Sequence, residues 1–137
     1  MKDDQFSKVK EFVIDLGYDI VQDHPEDGIL VIADEDAGIK NLVIGVSDPL
    51  VILEQYIFSV QHDSMDLYKA LLMKNRDIIH GAFVLDDSGQ RVLFRDTLQL
   101  ENLDLNELEG SINSLALLLS EYSSELLDYS HQQTLTV

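Results

Sequence analysis

Hydrophobic and polar positions change period several times along the chain, and each change marks an element. Near the amino terminus Phe6, Val9, Phe12, Val13 and Leu16 recur at the three- and four-residue spacing of one helical face, and Gly17 is a suitable stop. Two strand-like runs follow, "YDIVQD" and "GILVIAD", divided by "HPEDG", whose proline and glycine mark a turn. A third run, "KNLVIGV", comes after the acidic loop "DEDAG", and "SDP" breaks the chain before a longer run from Leu50 to Val60. "SMDLYKALLMKNRD" reads as a second helix, capped by Asp63 or Ser64, with Leu67, Leu71 and Leu72 on its apolar side.

The stretch "HGAFVLDDSGQRVLFRDTL" holds a histidine, three carboxylates, a serine and two arginines, enough to raise the question of a reaction site. Its pattern answers otherwise. Phe83 and Leu85 alternate before "DDSG" and Val92 and Phe94 alternate after it, as in a β-hairpin. Gly89 can supply a left-handed backbone, and Asp86, Asp87 and Ser88 can bond nearby amides. From Asp104 to about Tyr129 the period returns to that of a helix. Leu105, Leu108, Ile112, Leu115, Leu119, Tyr122, Leu126 and Tyr129 sit alternately three and four residues apart, a heptad seam. Such a seam serves equally for packing within its own core or for self-association. Leu117, Leu118 and Leu127 lie off it, which suggests cover on more than one side. The pattern predicts one domain over 1–129 and a polar, frayed tail over 130–137.

Charge narrows the function classes. The 137 residues carry 9 basic and 26 acidic side chains, a formal net charge of −17, with 45% apolar content that argues for a packed core. So acidic a surface repels nucleic-acid phosphates and anionic membranes and favours basic partners. After Arg95 there is no lysine or arginine, while eight acids follow, from Asp96 to Asp128. The last helix therefore cannot neutralise itself through pairs three or four residues apart. It either presents a solvated acidic face or meets a basic element of its own chain or of a partner. Glu121 and Glu125 are the candidate steering acids. Mimicry of nucleic acid by acidic groups would need regular spacing on a surface, which a sequence does not display.

Candidate chemistry is sparse. Absence of cysteine excludes disulfides and thiolate catalysis and fits a reducing cytoplasm. The start, "MKDDQFSKVKEF", is charged and helical rather than a signal peptide, and no apolar run approaches the roughly 20 residues that span a bilayer. The expectation is a soluble, cytoplasmic protein without membrane insertion. His24, His62, His80 and His131 have no partners at motif spacing; three lie in turn-like or tail segments, and His80 begins a strand. "DHPED" and "DEDAG" are rich in oxygen ligands but lack the alternating ligands, central glycine and later glutamate of a calcium loop. No catalytic, cofactor-binding or metal residues are expected.

The order helix, strands, helix, hairpin, long helix, and the stretch "ALLMKNRDIIHGAFVLDDSGQRVLFRDTLQLENLDLNELEGSI" within it, resemble the type III secretion chaperone-like superfamily. Its members end a second helix near an asparagine, here Asn75, before a strand of small and aromatic residues, here Gly81, Ala82 and Phe83. A short acidic turn, a return strand and a leucine-rich helix opened by acids follow. The likeness is clearest over Ala70 to Leu119 and extends by element order to about Tyr129. It is similar both to the Tir chaperone family (CesT) and to the YbjN-like family, grouped with sensory transduction regulators. The resemblance implies an α+β fold, an antiparallel twisted β-sheet with N-terminal, middle and long C-terminal helices packed on it, usually as a homodimer. It also implies a non-enzymatic, cofactor-free chaperone that holds a segment of a secreted effector along apolar patches without ATP. The alternative is a YbjN-like regulatory or stress-linked interaction protein with the same fold and no secretion role. Either partner is a protein, engaged through exposed apolar positions of the first helix and middle strands and steered by the acidic rim.

Overall fold

Alternation in the middle of the chain resolves into one antiparallel sheet because each run has a neighbour against which to bury the same face. The computed structural model describes residues 2–135. Its elements are α1 (Lys2–Asp15), β1 (Asp19–His24), β2 (Ile29–Asp34), a single 3-10 turn (Glu35–Ala37), β3 (Ile39–Ser47), β4 (Leu50–Ser59), α2 (Met65–Asn75), β5 (Ala82–Leu85), β6 (Arg91–Gln99) and α3 (Leu105–Thr134). The strands run in the order β1-β2-β3-β4-β6-β5, with every neighbouring pair antiparallel. This is the α+β architecture that the resemblance implied. β4 and β6 become neighbours because α2 and β5 are looped out between them.

One face of the sheet carries the core. Leu30 lies opposite Ile44, Ile44 opposite Leu53, and Ile32 opposite Leu42, so the buried side chains line up across strands. Phe83 and Phe94 continue that face toward β5. The helices cover it. Phe6, Val9 and Val13 of α1, Leu67 and Leu71 of α2, and Leu108, Ile112, Leu115, Leu118 and Leu126 of α3 join a single buried cluster. The helix-stop role of Gly17 is realised, with φ at +85°. Leu72 departs from expectation. It is 70% exposed, because one residue beyond Leu71 a helix has turned by about 100° and leaves the buried stripe.

A β-bulge in β4 keeps the inward pattern in phase. Gln55 pairs with Phe94 and Tyr56 with Leu93, but Phe58 pairs with Val92, leaving Ile57 as the extra residue. Val51, Leu53 and Gln55 are thus followed on the inner face by Phe58. The buried Gln55 amide accepts from the Lys40 N–H at 3.0 Å, so its burial carries no unpaired acceptor.

The long helix lies seam-down in its own core, and polar pegs set its position. Ser111 Oγ donates to Asp96 on β6 at 2.7 Å, and Ser114 Oγ donates to the His80 carbonyl at 2.7 Å. The frayed tail expected over 130–137 is corrected: α3 continues to Thr134, and Gln133 is buried. Residues 136 and 137 of that tail lie outside the described residues. The Gln133 side-chain carbonyl accepts from the backbone N–H groups of Gln61 and His62, at 2.7 and 3.0 Å. Position 133 continues the seam four residues past Tyr129, and its polar side chain meets two backbone donors of the segment that follows β4.

Replacing Gln133 with alanine is expected to destabilise the protein by about 1–2 kcal/mol, because two amides lose their acceptor. Chemical denaturation measures the loss, and hydrogen exchange should localise it to Gln61 and His62. The glycines supply a second test. Gly28 and Gly89 both have positive φ, +69° and +71°, but a Cβ on Gly28 would meet the Val46 carbonyl oxygen at 2.5 Å, whereas one on Gly89 meets nothing within 4 Å. Gly89→Ala should cost about 1 kcal/mol, the conformational term alone. Gly28→Ala should cost distinctly more, measured in the same denaturation series.

Candidate partner-binding surfaces

The suspect stretch from His80 to Leu98 is a hairpin. Asp86 accepts from Ser88 Oγ at 2.6 Å and from the Gln90 N–H at 3.3 Å, and its own N–H donates to the Arg91 carbonyl. The Ser88 hydrogen bond chiefly holds the Asp86 carboxyl below its ordinary pKa of 3.8. That contribution to the turn is present above the ordinary value and fades as pH falls through the lowered one. Asp86 is the organising residue of the loop. His80 does not begin the strand, as its position suggested; β5 opens at Ala82, and His80 belongs to the connection from α2.

The histidines are dispersed. His24 bonds the Gln22 side chain at 3.1 Å at the sheet edge, His62 faces the Gln132 carbonyl at 3.3 Å, His80 lies against Gly110, and His131 is in the last turn of α3. Among the described residues, no hydroxyl is hydrogen-bonded to a histidine ring, and no three His, Asp or Glu side chains converge as a metal site. No helix there is long and apolar enough to cross a membrane.

What the fold does present, among the described residues, is exposed apolar side chains, and three groups of them lie on an open face or at a cleft. The first is the open face of the sheet. Val31, Val43, Glu54, Arg95 and Ala82 are successive cross-strand partners, and beside them run Tyr56, Leu93 and Val84. Arg95 donates to Glu54 at 2.9 Å in the centre of this face. Tyr56 and Val43 are exposed on it, whereas Phe58, a middle-strand aromatic, is buried on the other side.

The second place is the outer side of α2 and β5. Met65 and Leu72 recur on one face of α2 and are 85% and 70% exposed, with Leu85 exposed on β5. Between the two elements lies a cleft of about 270 Å³ floored by Leu71, Phe83 and Val92. Asn75 closes the free edge of β5 there. Its amide group accepts from the Phe83 N–H at 2.7 Å and donates to the Phe83 carbonyl at 3.1 Å. A side chain thus occupies the hydrogen-bonding positions that an added strand would take.

The third is a cleft between α3 and the connection Asp77–His80, bordered by Glu121. The two steering acids separate here. Glu121 stands at the cleft, while Glu125 forms an ion pair with Lys74 of α2. The Lys74 ammonium also lies 4.9 Å from the Tyr122 ring centroid and 5.8 Å from that of Tyr129. Glu125 raises the Lys74 pKa above its ordinary 10.5, with partial burial opposing. The base facing the acidic helix is therefore in part intramolecular, supplied by α2. Sequence periodicity within α3 had no means of finding it.

A helix-covered antiparallel sheet of this strand order is the α+β fold of the type III secretion chaperone structures. The chain belongs to the CesT_Tir_1 family, whose model matches residues 2–132. Among curated proteins none matches the sequence. Among solved structures it is similar to YbjN from E. coli, a candidate transcription regulator, at TM-score 0.65 and 13% identity, covering 87% of this chain and 91% of that one. It is similar to a chain of the HopA1–SchA chaperone–effector complex at TM-score 0.57 and 12% identity, covering 93% and 90%. The Yersinia pestis type III secretion chaperone SycH, solved with a stable fragment of YscM2, gives TM-score 0.56 and 16% identity over 95% and 99%. At these identities the likeness is one of fold.

The Lys74–Glu125 clasp yields a prediction. A double-mutant cycle with Lys74→Met and Glu125→Gln should give a coupling of about 0.5–1 kcal/mol at neutral pH. The folded-state pKa of Lys74 lies above its unfolded value, so this coupling is complete below 10.5 and is lost as pH rises through the raised value. Denaturation of the four proteins across alkaline pH checks both size and direction.

Proposed function

We propose that this protein is a small, acidic, non-enzymatic binding protein of the cytoplasm that holds a segment of a partner polypeptide, in the manner of a secretion chaperone. The observation that carries the reading is the family match over residues 2–132, made on a fold whose apolar surfaces at α2–β5, the open sheet face and the α3 cleft are uncovered. Apolar patches hold an unfolded segment by burial, and a net charge of −17 steers a basic one toward them. The same charge disfavours nucleic acid. The likeness to YbjN supports a second reading, a regulatory interaction protein with the same fold and no role in secretion.

Self-association belongs to the same proposal. Met65 and Leu72 on one face of α2 and Leu85 on β5 are exposed apolar side chains of the kind that a symmetric dimer covers. Because Asn75 occupies the edge of β5, such a dimer packs side chains rather than extending the sheet. The open strand edge available for a partner segment is then β1.

Light scattering near physiological salt should give twice the 15.5 kDa chain mass, and Met65→Glu with Leu72→Glu should return the monomer with its fold intact. A monomeric wild-type chain at micromolar concentration would remove the dimer. For the binding role, affinity capture from native cytosol without ATP should retain a polypeptide. A partner bearing an export segment favours the chaperone reading, and a regulatory protein favours the alternative. Turnover of a small substrate, abolished by one histidine or carboxylate change, would overturn both.

A further inference from the structure

We propose that the cleft between α3 and the Asp77–His80 connection is the docking site for a cationic amphipathic segment of the partner, which anchors one or two apolar side chains there. The inference rests on the partner-binding reading and gives it a location and a chemistry.

The cleft is built rather than incidental. Ser114 Oγ donates to the His80 carbonyl at 2.7 Å and accepts from the His80 N–H at 3.3 Å, so one hydroxyl ties the connection to the helix. Gly110 lies at the contact. A Cβ there would stand 3.6 Å from the His80 ring, an ordinary van der Waals contact, so an alanine fits and would fill space that the glycine leaves open beside the ring. Glycine inside a helix is unfavourable by roughly 1 kcal/mol relative to alanine. Here it keeps open the space beside the His80 ring that a methyl group would take.

The lining dictates the occupant. Ile79 is 81% exposed on one wall and Leu117 61% exposed on the other, with Leu118 and Tyr122 deeper in. The volume is about 230 Å³, below the roughly 300–1,000 Å³ of sites for drug-sized ligands. It therefore suits side chains of a polypeptide that continues past it. Asp77 and Glu121 are the charged residues of its lining, with no lysine or arginine among them. Of the bases on α2 and the residue after it, Lys74 lies over the Tyr122 ring and is taken up by Glu125, and Arg76 is exposed beside Asp77 in the chain, outside the lining. An apolar slot between two carboxylates selects a leucine- or phenylalanine-sized anchor flanked by lysine or arginine.

The test uses the full isotope-labelled chain and a short synthetic peptide of leucines interspersed with lysines, compared with one carrying glutamate for lysine and one carrying serine for leucine. The lysine–leucine peptide should shift the amide resonances of Ile79, His80, Gly110, Asn113 and Ser114, and the other two should not. Ile79→Ser or Leu117→Ser should weaken its binding about tenfold or more. Both residues are largely exposed, so the fold survives their truncation. Glu121→Lys should weaken it comparably and reduce its salt dependence. Gly110→Ala should raise the melting temperature while weakening binding, a pairing that a purely structural glycine would not produce. Equal binding of the glutamate peptide, shifts centred elsewhere, or unaltered affinity in the Ile79 and Leu117 variants would overturn the inference. So would loss of self-association in those variants, which would assign the cleft to a second copy. If the Ile79→Ser, Leu117→Ser double variant still retains the captured partner, the cleft proposal falls and the broader binding role stands. If the wild-type chain retains none, the broader role falls.

Discussion

The structure depends on the burial of one sheet face beneath α3. Strands β4 and β6 place Leu53, Phe58, Val92 and Phe94 on that face, and the α3 seam of Leu108, Ile112 and Leu115 closes over it. Removing this apolar area from water is the dominant stabilising term available to a domain without disulfides. The other elements are arranged around that contact. α1 covers the β1–β3 end, and α2 covers the β5 end. Polar groups caught inside are paired, as Gln55 is with Lys40 and Ser111 is with Asp96.

Length sets a second constraint. Thirty helical residues at about 1.5 Å each extend roughly 45 Å, whereas the ten residues of β4 at about 3.3 Å extend roughly 33 Å. The helix overreaches the longest strand, so its final turns need a partner outside the sheet. Gln133 finds one in the two amides that follow β4, and Lys74 reaches from α2 to Glu125 and the two tyrosine rings. The far end of α3 is thereby held by hydrogen bonds, an ion pair and cation–π contacts in addition to the burial of Leu126 and the packing of Tyr129 on Phe58.

Covering one face leaves the rest of the molecule asymmetric. The open sheet face mixes aliphatic rows with the Glu54–Arg95 pair, the α2–β5 surface is apolar, and the α3 cleft is apolar with an acidic rim. Surfaces so different in chemistry suit different occupants. The bidentate contact of Asn75 with Phe83 adds a restriction on geometry, because it blocks sheet extension at β5.

Much of this was legible in the residues. The 3.6 and 2.0 periods located three helices and the hairpin, and the inward positions of α1, β5, β6 and α3 followed from them, because burial repeats with the geometry of the backbone. Gly89 could be assigned its positive φ from the turn alone. Tertiary placement decided what local period does not carry. Leu72 belongs to the apolar side of α2 by composition, yet only the position of the sheet determines which stripe is buried. Gln133 sits on the seam by number, but its polarity suggested a loose end until two free amides were brought beside it. Glu121 and Glu125 are alike in sequence and differ in the fold, because Lys74, about fifty residues earlier, reaches one and not the other. His80 and Gly110 meet only when β5 and α3 pack. Sequence by itself determined the elements and their inward faces, since those depend on near neighbours along the chain. The tertiary structure alone decided which groups from distant segments share a surface, since that depends on packing between elements.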